Sequence, residues 1–154
     1  MNVMYMLIGV PGSGKSTWIS KQKWAKDCRI ISTDKYVEEY AKWHNLTYTE
    51  VFQVYMPKAV ELMASEVVYA RENNQDIIWD QTSTTLKTRA KKFAMLPDYY
   101  TIGVVFRTPN RDELDVRLSG RPGKHIPKDV VDSMIANWEE PTEDEGFDEI
   151  WYVD

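Results

Sequence analysis

Three observations in this 154-residue sequence predict an α/β fold, a three-layer, doubly wound and mostly parallel sheet. Short apolar runs alternate from end to end with longer stretches whose apolar residues recur every three or four positions. The connections between them are short, as expected where each helix carries the chain back to start a parallel strand. The first apolar run also passes directly into a glycine-rich turn that opens a helix, the hallmark of a βαβ unit.

The elements follow in order. "VMYMLI" (3–8) reads as a buried strand, and Ser13 to about Ala25 as the helix after it. "RIIS" (29–32) is a second short strand, followed by a helix over Lys35–His44. Thr47 and Glu50 have the spacing of a capping box and open a longer helix. Its predicted buried stripe is Phe52, Met56, Val60, Met63, Val67 and Ala70, with Pro57 expected to kink it or mark its true start. "DIIWD" (76–80) is the third strand, Leu86–Leu96 a helix closed by Pro97, and "YTIGVVFR" (100–107) the fourth strand. Asn110 can cap a helix reaching about Leu118. "SGRPGKHIP" (119–127) has loop composition, Pro127 suits the start of a helix ending near Trp138, and "DEIWYV" (148–153) is the last strand.

Composition narrows the function classes. The length fits a single domain, 1–154, and no apolar run approaches the roughly 20 residues of a membrane span. The N-terminus lacks a basic n-region and reads as a strand instead of a signal peptide, so a cytoplasmic location and no membrane partner are expected. Cys28 is the only cysteine, which excludes an internal disulfide, and two histidines, His44 and His125, make no soft-metal site. The net charge of -5 is unevenly spread. Residues 139–154 hold eight acidic side chains and no Lys or Arg, leaving 19 basic against 16 acidic elsewhere. Between 87 and 128 there are ten Lys or Arg and four Asp or Glu, so polyanion contacts are expected there, against the plainer reading of a solvated surface.

Gly9, Gly14, Lys15 and Ser16 satisfy GxxxxGK[ST], placed between an apolar strand and a helix. With Pro11, Gly12, Ser13 and Thr17 they form a loop whose bare backbone lets N–H groups converge on a polyphosphate at a helix N-terminus. Lys15 is expected on the outer phosphates of ATP and Ser16 on Mg²⁺. Two carboxylates belong to the same rim, because ligands of open α/β sheets gather at the strands' carboxyl ends. Asp34 follows the second strand in "ISTDKY" and Asp80 ends the third in "IIWDQTS". One is expected to take an acceptor's proton and the other to hold Mg²⁺ or the acceptor. Arg117, Arg121 and Lys124, in and beside "RLSGRPGKHIP", suit a short lid over about 117–127 that delivers cations to a transferring phosphate.

"GVPGSGKST", "STDKY", "IIWDQTS" and "RPGKHIPKDVVDSM", in that order, resemble the kinase domain of phage polynucleotide 5'-hydroxyl kinases and their cellular P-loop relatives. The resemblance runs from the first strand to about Trp138 and implies a P-loop kinase type of fold with a short lid. It implies Asp34 as general base on a 5'-hydroxyl, Lys15 and Ser16 as the phosphate-loop pair, Arg121 as the lid cation on the transferring phosphate, and Arg117 as a nucleotide contact. Asp80, Thr82 and Ser83 fall on the family's D-x-T-N motif, with Ser83 in place of asparagine, and so on the acceptor side together with Asp34. The family's arginine three residues after the base is replaced by Val37, with Lys35 as a neighbouring substitute. The implied activity is ATP- and Mg²⁺-dependent transfer to the 5' end of DNA or RNA. Two alternatives stand beside it: a related kinase acting on another hydroxyl (a hydroxymethylated base, a nucleoside or a small metabolite), and a non-catalytic ATP-binding switch.

Overall fold

The computed structural model describes all 154 residues, Met1–Asp154. Five strands, β1 Val3–Ile8, β2 Arg29–Ile31, β3 Ile77–Trp79, β4 Tyr100–Phe106 and β5 Glu149–Val153, form one sheet in the order β2-β3-β1-β4-β5. Every pairing is parallel, with Met6 opposite Trp79 and Ile31 opposite Trp79 at the carboxyl ends. Central strands of such a sheet are covered on both faces, which is why "VMYMLI" is a continuous apolar run and not an alternating one. Met4, Met6 and Ile8 of β1 pack into one cluster, and Leu7 into the other.

The handedness of parallel crossovers distributes the helices. The step from β1 to β2 runs one way along the sheet, and the steps to β3, β4 and β5 run the other way. Helix α1 (Lys15–Lys21) and a 3-10 turn over Lys23–Asp27 therefore cover one face, through Trp18, Ile19, Trp24 and Ala25. The longer α3 (Tyr48–Glu72), through Met63, Val67 and Ala70, and the end of α4 (Leu86–Met95) cover the other. Helix α2 (Asp34–Trp43) packs on the first turns of α3 through Val37, Ala41, Val51 and Ala59. Helices α5 (Arg111–Ser119) and α6 (Lys128–Ala136) clamp Val10 between Leu114 and Val131. No helix is long and apolar enough to cross a membrane.

Two expectations change. The first helix stops at Lys21 instead of Ala25, because Gln22 turns extended and the 3-10 turn lets Trp24 fold back onto Tyr5, ring centroids 4.4 Å apart. Helix α3 begins at the capping box as expected and runs unbroken through Pro57. Its buried face, however, is Val51, Ala59, Met63, Val67 and Ala70, leaving Phe52 and Val60 exposed. The first turns meet α2 and only the later ones meet the sheet, so the contact stripe rotates along the helix.

The acidic stretch 139–154 is built into the fold. Glu139 accepts from the Leu86 N–H at 3.2 Å, and Asp148 from the Thr101 N–H at 2.8 Å. Arg89, wholly buried in α4, donates through Nε to Glu145 Oε1 at 2.7 Å, through Nη2 to Oε2 at 3.2 Å, and through Nη1 to the Ser83 carbonyl at 3.1 Å. Arg89→Ala strands a nearly buried carboxylate, and urea denaturation is expected to show a loss of about 3–5 kcal/mol. A loss below about 1 kcal/mol, the range of solvated surface pairs, would contradict this burial.

Candidate active site

The phosphate loop begins where β1 ends. Gly9 N–H donates to the Thr82 carbonyl at 2.9 Å, tying the loop to the chain leaving β3. A side chain at Gly9 would put Cβ 2.5 Å from Ser13 Oγ and 2.9 Å from Phe106, so the close approach requires glycine. Gly14 caps α1 in the left-handed region at φ 103°, which turns the backbone into the helix whose N-terminal amides face the cleft. Lys15 Nζ donates to the Gly9 and Val10 carbonyls at 2.8 and 3.0 Å, folding the lysine back over its own loop.

Parallel pairing at one level puts the next two strand ends beside this loop. Asp34 opens α2 three residues after β2, and Asp80 follows β3, its N–H donating to the Ile31 carbonyl at 2.7 Å. A cavity of about 1910 Å³ is lined by the loop from Pro11 to Thr17, by Asp34, Asp80 and Thr82, and by the lid with Arg117 and Arg121. Gly9 does not line the cavity. Ser83 does not reach the cavity: at φ 49° it turns inward and is buried, and only its carbonyl is used, by Arg89.

The lid cations differ in their partners. Arg117 is committed, donating to the Gly12 carbonyl at 2.9 Å and to Glu113 at 2.6 Å, so it braces the loop. Arg121 makes no side-chain hydrogen bond or ion pair with protein, and its planar donors are free for an anion. Lys124 bonds Asp34 Oδ2 at 3.2 Å and Glu38 Oε1 at 3.3 Å, and lies 4.4 Å from the centre of the Tyr48 ring. Tyr48 donates to the other oxygen, Asp34 Oδ1, at 2.6 Å. The lid docks on α3, where the Thr49 N–H donates to the Gly123 carbonyl at 3.2 Å and the His125 N–H to Thr49 Oγ1 at 2.7 Å. His125 thus contributes backbone only to these contacts.

Sequence reasoning missed Tyr48 and Glu38. Tyr48 had a local signal, since it is the residue after the Thr47 cap, but its reach to Asp34 depends on how α3 packs on α2. Val37 is wholly buried among Ala41, Val51 and Ala59, so that position is core. Lys35 is no substitute, because its Nζ bonds Glu66 at 2.7 Å and the Ile30 carbonyl at 2.9 Å. The basic excess of 87–128 is also partly spent: Arg89 and Lys92 are buried, and Arg111 and Arg117 are paired.

Burial pushes Lys15 down from its ordinary 10.5 to about 8, partly opposed by Asp80. Asp80 is raised above the usual carboxylate range by the same burial, with Lys15 acting against it. Both groups line the cavity, where a bound polyanion would stabilise the lysine's charged form.

A family model described as AAA domain matches residues 4–141, nearly the whole chain. The chain belongs to this AAA domain family. Among solved structures, an inferred kinase from Chloroflexus aurantiacus J-10-fl superposes with a TM-score of 0.72 at 16% identity, covering 99% of this chain and 85% of that one. A gluconokinase from Sinorhizobium meliloti 1021 gives 0.58 at 20%, covering 98% and 81%. Kti12 from Chaetomium thermophilum, in complex with ADP-AlF3, gives 0.59 at 12%, covering 97% and 88%. Together they establish that this AAA domain has the α/β P-loop kinase fold.

The low lysine makes stability depend on pH. Below about pH 8, Lys15 is charged whether folded or unfolded, and the folded state carries the desolvation penalty. Between about 8 and 10.5 the folded lysine sheds its proton first, so stability rises with pH there. Urea denaturation of Lys15→Met and wild type is expected to show the stability difference moving in favour of wild type from pH 7 to pH 10. An unchanged difference would mean a lysine solvated like any surface one.

Proposed function

We propose that this AAA domain is a kinase that transfers the γ-phosphoryl group of Mg²⁺-bound ATP to an alcohol. One observation carries the reading: a phosphate loop with its lysine, the carboxylate of Asp34 and the unpaired guanidinium of Arg121 line one cavity. A switch needs the first alone, whereas transfer needs all three. The presence of a gluconokinase and of an ADP-AlF3 complex among the structural neighbours supports it.

In this mechanism the loop amides and Lys15 hold the β- and γ-phosphates. Asp34 accepts the acceptor's proton as its oxygen bonds to the γ-phosphorus and the bridge to ADP breaks. Lys124 must first leave Asp34 Oδ2, and lid movement that releases it brings Arg121 to the γ-oxygens, where charge builds in the transition state. Ser16, in the first turn of α1, and Asp80, a cavity-lining carboxylate without a hydrogen-bond partner for its side chain, suit Mg²⁺, which takes one or two protein oxygens and completes its shell with water and phosphate. The ion would neutralise charge on the β- and γ-oxygens.

The ordered motifs support the 5'-hydroxyl of DNA or RNA as acceptor. A second reading, another hydroxyl such as that of a hydroxymethylated base, a nucleoside or a small metabolite, is favoured by the burial of Val37 and the engagement of Lys35, which leave neither the family's clamp position nor its neighbour free to hold an acceptor phosphate. Glu38 on that side is unfavourable to a polyanion as well.

With γ-labelled ATP, label is expected on a 5'-hydroxyl oligonucleotide, or on hydroxymethyl-pyrimidine DNA or nucleosides under the second reading. No transfer above a Lys15→Ala control with any of them overturns the kinase assignment. Asp34→Asn is expected to keep ATP affinity and lose ~10²- to 10⁴-fold in turnover; a switch would be indifferent to it. Arg121→Ala is expected to lower kcat more than ground-state ATP binding, and equal losses in both would make Arg121 a uniform binding contact.

A further inference from the structure

Asp34 is the first residue of α2, and Thr33 before it provides no side-chain cap, so nothing local sets the rotation of the carboxylate. Its side-chain oxygens have two hydrogen-bond partners, Tyr48 on Oδ1 at 2.6 Å and Lys124 on Oδ2 at 3.2 Å. The two differ in permanence. Lys124 belongs to a lid that contains Gly120 and Gly123, is shared with Glu38, and occupies the oxygen that an acceptor hydroxyl needs. Tyr48 opens α3, where a reciprocal capping box fixes the first turn: Thr47 Oγ1 accepts from the Glu50 N–H at 3.2 Å, and Glu50 Oε1 from the Thr47 N–H at 2.9 Å.

The ring of Tyr48 is further held against Phe52, centroids 5.5 Å apart. Burial, and then the hydrogen bond to Asp34, raise the phenol far above its ordinary range, so it remains a donor throughout any working pH. A neutral donor from a rigid helix orients a carboxylate without cancelling its charge, which an ammonium would do.

We infer that Tyr48 is the positioning residue of the base: by holding Oδ1 it aims Oδ2 at the acceptor hydroxyl once Lys124 has left. The inference rests on the kinase reading above and adds to it a residue that acts through the Asp34 carboxylate. A misplacement of about 1 Å in a reacting group can cost ~10²-fold, so the loss of this one contact belongs in kcat.

The test is a double-mutant cycle on the full chain with γ-labelled ATP and whichever acceptor wild type labels. Tyr48→Phe, which keeps the ring, is expected to lower kcat by roughly 10- to 100-fold with KM for ATP and the melting temperature close to wild type. In an Asp34→Asn background the same change is expected to cost nothing further, because the tyrosine acts only through that carboxylate. Wild-type kcat in Tyr48→Phe, or the same fold-loss in both backgrounds, overturns the assignment while leaving the kinase reading intact. A wild-type chain that labels no hydroxyl overturns the kinase reading and the role of Tyr48 with it.

Discussion

Parallel hydrogen bonding between β2, β3 and β1 holds three strand ends at one level, and the candidate site depends on that alignment. Ile31 and Met6 both pair with Trp79, so the phosphate loop, Asp80 and the approach to Asp34 leave the sheet side by side. Slipping one strand would break the bond from the Asp80 N–H to the Ile31 carbonyl and the bond from the Gly9 N–H to the Thr82 carbonyl. It would also exchange the residues that face the two apolar clusters, because side chains alternate along a strand. Core packing and site geometry therefore specify the same register.

Above that platform the cleft is closed by contacts between elements far apart in sequence. α5 lies on the phosphate loop so closely that a side chain at Gly12 would come within 2.9 Å of Leu114, and Arg117 holds the Gly12 carbonyl. The lid rests on the first turn of α3 through Thr49, and that turn presents Tyr48 to Asp34. Loop, lid and carboxylate thus share supports in α5 and the first turn of α3.

The charge distribution takes a different meaning in three dimensions. The acidic stretch near the C-terminus is the last crossover and edge strand, with Glu139, Glu145 and Asp148 each satisfying a group elsewhere in the fold. Two of the basic residues between 87 and 128, Arg89 and Lys92, are interior, and Lys92 lies 5.4 Å from the centre of the Trp79 ring. Local charge excess is a poor guide to a binding face because a sequence count does not distinguish a solvated cation from one already neutralised by a distant carboxylate.

Local physics made much of the molecule legible in the amino-acid order: continuous apolar runs for strands buried on both faces, capping residues Thr47 and Asn110 at helix starts, and glycines that only a phosphate loop requires. Asp34 and Asp80 were legible as rim residues because their place follows from strand ends alone. The chain order left open which face of α3 is buried, whether Val37 is clamp or core, where Ser83 points, and what holds Asp34. These are set by the packing of α2, α3 and the lid, where Lys124 meets Asp34 across 90 positions, and no periodicity or spacing encodes a partner at that distance.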